Sequence, residues 1–363
     1  MKGLFNIVVM SVFAGMVSCG KSSDLFIVSG YSGDNKPDVS LCKLGSKGIP
    51  EVLNEFTCGN NPSFFTVGDS GLIYIANEVD SFMQKKGGGI TTLYLDPGNN
   101  TLKKVGEINQ GAPGPCHILL SSDRRYLITA NYGSGKISVV KLDKKGIPSE
   151  VTDVIGYGDK SHPHMTWYNE RNGIYYVTDL GLDRIYLFKL NTETGRLLDA
   201  ATAYVKTDTG SGPRHMALDK DCRNLYVINE LNSTISVFDA LRDIPVFKNS
   251  FSTLPEGFNK ENFCADIHFS PDEKMIYGSN RGDNSIAVFR VSRNGSLSPA
   301  GYSACGGNWP RNFAISPDGR YMLVANQRSD TVSVLGLKNR TGVPEPAGQS
   351  LSFKAPSCIR FLQ

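Results

Sequence analysis

What this sequence lacks narrows its chemistry before any motif is considered. Its 363 residues include five histidines and two tryptophans, and no two cysteines stand in a Cys-x-x-Cys pair. Neither a zinc ribbon nor a dithiol redox centre is therefore encoded. The formal net charge is only +3, and no basic run interleaved with aromatics occurs. That excludes a nucleic-acid partner recognised through charge. No long stretch repeats apolar residues at helical spacing, so neither a coiled coil nor a partner helix is implied. One candidate phosphate cradle, Lys85-Lys86-Gly87-Gly88-Gly89, leads into ITTLYL. That continuation reads as a strand, whereas a cradle of that kind needs a helix. The remainder, 40% hydrophobic and 20% charged, is ordinary globular composition.

What is present is a repeat. Residues 210–238, GSGPRHMALDKDCRNLYVINELNSTISVF, read as two antiparallel strands and the start of a third, with a polar turn at residues 219–224. Related hairpins begin at Pro62, Pro115, Pro163, Pro213, Ala265 and Pro310, and their second strands end at Asn77, Asn131, Asp179, Asn229, Asn280 and Asn326. The resulting periods are 54, 48, 50, 51 and 46 residues. Such periods, with four short strands per unit, predict an all-β, seven-bladed propeller. Near the N-terminus, LFIVSGYS supplies only a second strand, and PSCIRFL at the C-terminus supplies only a first. The two ends are expected to share one blade and close the ring, which removes the edges of an open array.

Residues 1–23 are assigned outside this domain, which spans 24–363. Lys2, the apolar run LFNIVVMSVFAGMVS and Cys19-Gly20 describe an export signal. MVSC at residues 16–19 resembles a bacterial lipobox with Met16 in place of the usual Leu. The expectation is a lipid on Cys19 as the sole membrane attachment and a place in the cell envelope; the alternative is a simple cleaved signal. The other seven cysteines are expected to be inert buried thiols, although Cys42 and Cys58 are available to pair.

First strands line the axis of a propeller, so the residue after each repeated proline should form a ring at one mouth. That slot reads Ser63, Cys116, His164, Arg214, Asp266, Arg311 and Ser357. The five histidines, His117, His162, His164, His215 and His268, all lie within a few residues of it. Arg214 and Glu230 are 16 positions apart with the turn midway, so hairpin geometry brings them to the same end of one strand pair. They form either a salt bridge or a site. Arg281, directly after its second strand, joins that face, and Glu78 repeats the Asn229-Glu230 pattern in another blade. His215 and His268 are expected to turn into the blade. The expected site is Glu230, Arg214 and His164 as catalytic groups, with Arg281, Arg311, His117, His162 and Asp266 binding substrate.

GSGPRHM, NELNSTISVF, ADIHFSPDEKMIYGSNR and PRNFAISPDGRYMLVAN closely resemble segments of the propeller-type lactonases, a family including bacterial 6-phosphogluconolactonases and the fungal 3-carboxymuconate cycloisomerase. The resemblance covers essentially everything after residue 24. It implies a small anionic or sugar lactone as substrate, and neither metal nor cofactor. It also implicates an Arg, a Glu, an upstream His and a second Arg, which is either Arg281 or Arg311. In the expected mechanism Glu230 activates water, the arginines hold the oxyanion, and His164 delivers a proton because its reference pKa is near neutrality. The same groups suit lactone formation, and a non-enzymatic envelope binding module is the alternative from another class.

Overall fold

A computed structural model describes residues 24–31, 33, 36–337 and 341–362. The expected export signal and Cys19 lie outside the described residues. Seven antiparallel sheets surround an axis. The first blade comprises Pro62–Val67, Leu72–Asn77, Gly89–Asp96 and Thr101–Asn109, from axis to rim. The next four repeat this order, with inner strands Pro115–Leu120, Pro163–Asn169, Pro213–Leu218 and Phe263–Phe269. In the sixth blade, Pro310–Ile315, Tyr321–Asn326 and Thr331–Gly336 are followed by two short outer segments, Glu345–Pro346 and Leu351–Ser352. The seventh joins the two ends as expected: Pro356–Phe361 pairs antiparallel with Leu25–Gly30, and the rings of Phe26 and Phe361 meet at a tilt with centroids 5.6 Å apart.

The strands are short, β-branched and aromatic, and their apolar side chains pack between neighbouring blades. One cluster, for example, joins Ile174, Tyr176 and Leu187 of the third blade to Met216, Leu225 and Val227 of the fourth. The asparagine that closes most second strands has a structural cause. Nδ2 of Asn131, Asn229, Asn280 and Asn326 donates to Ser138, Ser236, Ser285 and Ser333 respectively, at 2.8–3.1 Å. A buried amide whose NH2 is bonded to the neighbouring strand fixes where the hairpin ends. The glycines of the 87–89 loop serve packing: a Cβ on Gly88 would lie 2.2 Å from Pro115 Cδ. All seven cysteines of the described residues are free thiols, Cys42 and Cys58 included.

A bulge recurs at the axial end of the inner strands. In the fourth blade Pro213 pairs with Asn229 and His215 with Ile228, leaving Arg214 as the extra residue. Ser63, Cys116, His164 and Arg311 occupy the same position in their blades. A bulge re-aims its extra side chain, here toward the channel mouth. The fifth blade corrects the sequence reading. Cys264, not Ala265, pairs with the terminal Asn280. Asp266 therefore sits one position deeper than its predicted place, level with His215 and Asn312. Without a proline the start of this hairpin carries no marker, and the strand begins earlier, at Phe263.

Candidate active site

Two rings of residues converge at this mouth. Inner-strand bulges supply Cys116, His164, Arg214 and Arg311; the position after each second-strand terminus supplies Glu78, Tyr132, Glu230 and Arg281. These eight line a polar cavity of about 200 Å³. Ala265 holds the bulge position in the fifth blade and has only a methyl group to project. Arg281 extends past this position, donating from Nε to the Phe263 carbonyl at 3.2 Å and from an Nη to that of Cys264 at 3.0 Å.

Glu230 is the centre of one wall. Its Oε2 lies 2.9 Å from Arg214 Nε and 2.7 Å from an Arg281 Nη. The Arg214 contact is an ion pair off the line of a good hydrogen bond, since Nε lacks an aligned acceptor. Arg214 is 2% exposed and donates at 2.5 Å to the Ala265 carbonyl, so its guanidinium is fixed from both sides. Burial, then the neighbouring Arg214, lowers the Arg281 pKa to about 9, which still leaves it charged at neutral pH. The opposing wall carries Glu78, whose Oε2 accepts from the Tyr31 hydroxyl at 2.5 Å. Arg311 donates to that hydroxyl at 2.9 Å and stands 3.9 Å from Glu78. Both candidates for the second arginine are thus in the cavity, on different carboxylates.

His164 lines the same cavity, but its charge state differs from the expectation. Burial, reinforced by Arg214 and His215, holds its pKa well below the usual imidazole value. It is a neutral imidazole at physiological pH and has no proton of its own to deliver as an imidazolium. No described residue hydrogen-bonds to either ring nitrogen, and Nδ1 is buried without a partner. Cys116 is no nucleophile: burial pushes its thiol up to about 12.

Three expected binding residues lie elsewhere. His162 is stacked on Tyr132 at 4.5 Å and donates from Nδ1 to the Tyr132 carbonyl at 2.9 Å, so it buttresses the cavity from behind. His117 lies deeper, against Phe64 at 4.3 Å and beside Thr166. Asp266 accepts from His215 at 2.7 Å, His268 at 2.9 Å and Asn312 at 2.5 Å, and from the backbone amides of Ile267 and Phe313. His215 accordingly faces the axis, 5.1 Å from His164 between ring centroids, and does not turn into the blade as expected. Tyr31 and Tyr132 were missed. Tyr132 follows Asn131 as Glu230 follows Asn229, a signal legible in the repeat. Among the described residues no three of His, Cys, Asp and Glu gather as a metal site.

Comparison with known proteins bears on this geometry. The family described as "Lactonase, 7-bladed beta-propeller" matches residues 26–361. The chain is 30% identical over 347 residues to a 6-phosphogluconolactonase of Formosa agariphila, covering 90% of this chain and 97% of the relative. It is 26% identical over 331 residues to the 6-phosphogluconolactonase of Bacillus subtilis, covering 87% and 91%. The solved periplasmic gluconolactonase of Pseudomonas aeruginosa superposes with a TM-score of 0.88 at 27% identity, covering 93% of this chain and 99% of that one.

Proposed function

Since this chain belongs to the seven-bladed β-propeller lactonase family, we propose that it hydrolyses a sugar lactone in the cavity at the channel mouth. The observation that carries this reading is the placement of Glu230 between Arg214 and Arg281 beside a neutral, unengaged His164. Lactone hydrolysis joins a water oxygen to the carbonyl carbon and breaks the bond from that carbon to the ring oxygen. The developing oxyanion needs fixed donors, and Arg214 and Arg281 are fixed donors whose remaining N–H groups suit an anion. Glu230 holds the two guanidiniums together against their mutual repulsion. His164 takes the proton from the attacking water and returns it to the departing ring oxygen, so one imidazole serves both half-steps. The product acid then ionises, releasing one proton per turnover.

The family relatives named 6-phosphogluconolactonase and the solved gluconolactonase support a sugar lactone as the substrate class. The N-terminal leader supports action in the cell envelope with Cys19 lipidated, and a native N-terminus still beginning at Met1, read by mass spectrometry, would contradict it. The activity itself is tested on a panel of aldonolactones. Purified protein should hydrolyse at least one member well above the spontaneous rate in buffer. Inactivity across the panel would refute the reading and favour a binding role.

A further inference from the structure

The Glu78 wall has a chemistry of its own. Glu78 and Glu230 hold the same repeat position in the first and fourth blades, three blades apart across the channel. Glu230 is matched by two guanidiniums, whereas Glu78 faces a phenol hydroxyl and one guanidinium 3.9 Å away. Its side chain is 23% exposed, toward the cavity it lines, and no described residue engages Oε1. A carboxylate only accepts hydrogen bonds. Sugar hydroxyls bring hydrogens to such an oxygen; a phosphate ester at neutral pH brings almost none and repels it. Arg311, the cation on this wall, is already shared between Tyr31 and Glu78.

The charge balance points the same way. Three arginines and two glutamates line the cavity, and His164 is neutral. The surplus is one positive charge, enough for one developing oxyanion but not for a phosphate dianion as well. We infer that Glu78, held by Tyr31 and Arg311, reads substrate hydroxyls and selects an uncharged polyhydroxylated lactone over its phosphate ester. This rests on the lactonase reading above. The competing candidate for holding a phosphate is Arg328, whose guanidinium carbon lies over Trp309, 3.3 Å from the ring centroid, with Arg281 5.3 Å from that ring. Trp309 has a positive φ of 66°, a strained conformation for so bulky a residue.

The test compares wild type, Glu78→Gln and Arg328→Ala on glucono-δ-lactone and its 6-phosphate, with calorimetric binding of the products gluconate and 6-phosphogluconate. Gln keeps the size of Glu78 and an acceptor for Tyr31, and an unchanged melting temperature certifies the fold. Wild type should favour the unphosphorylated lactone in kcat/KM by about tenfold or more. Glu78→Gln should lose that preference, weaken gluconate and leave 6-phosphogluconate binding equal or tighter, whereas Arg328→Ala should leave the preference unchanged. Equal losses on both lactones in Glu78→Gln would overturn the inference. So would a wild-type preference for the phosphate ester that Arg328→Ala removes. If wild type hydrolyses neither lactone, turnover on the aldonolactone panel decides the lactonase reading separately. Product binding then decides the role of Glu78: a gluconate-specific loss supports it, and equal binding in both proteins overturns it.

Discussion

At the channel mouth, Arg214, Arg281, Arg311, Glu78 and Glu230 surround open space, and neither carboxylate has a partner on Oε1 among the described residues. One residue deeper, Asp266 is bonded by His215 and Asn312 at its own level and by His268 two positions further along its strand. The two levels use the same kinds of side chain and are adjacent in sequence on the same strands. They differ in whether the protein itself meets their bonding capacity. Asp266 takes five contacts from neighbouring groups, two of them from the sixth blade, and His215 joins it to the fourth. It pins three blades together at the axis. Burial favours protonating Asp266, but its two histidine partners outweigh that and hold its pKa well below the usual carboxylate range. A cluster of charge at the axis is therefore a strut when satisfied and a site when left open.

The largest effect separating the levels is expected at the strut. Asp266→Ala would leave buried imidazole, amide and backbone donors unpaired, a cost of about 3–5 kcal/mol. The melting temperature should fall by about 4–7 °C, and the protein that remains folded should keep most of its turnover. An unchanged melting temperature with turnover lost would move Asp266 from strut to site.

A smaller effect concerns the charge state of His164. Because its folded pKa is depressed, the neutral form dominates above about pH 6.5. With His164 as proton acceptor, kcat/KM should stay level from about pH 7 to 8. It should fall only on the acid side, by about tenfold per pH unit once the imidazole protonates. Initial rates corrected for spontaneous hydrolysis measure this. A decline as pH rises through neutrality would restore His164 as the proton donor.

The mouth was more legible in the sequence than the deeper level. The repeat brought Arg214 and Glu230 together because hairpin geometry depends only on distance from the turn. It also placed Arg281 and Glu78 on the same face. Asp266 was misplaced by one position because Cys264 stands where other blades carry proline, and a one-residue slip changes the level at which a side chain meets the axis. His215 went astray for a related reason: the bulge at Arg214 reverses the alternation assumed for an ordinary strand. The neutrality of His164 had no sequence signal, since it depends on burial and on charges from other blades. Tyr31 escaped notice because the closing blade carries no Asn or Asp to mark its second-strand terminus: Gly30 pairs with Pro356 as Asn77 pairs with Pro62, so Tyr31 holds the position of Glu78 and Glu230.

Glu230→Gln, followed by both turnover and melting temperature, tests the site most directly. The substitution keeps the shape but removes the charge that holds Arg214 and Arg281 in register, and loss of such positioning costs about 10²-fold. The account predicts that kcat on the best lactone falls by about that factor or more while the melting temperature moves by only a few degrees. Unchanged turnover with a clear drop in melting temperature would contradict it and make the Arg214–Glu230–Arg281 cluster a second strut.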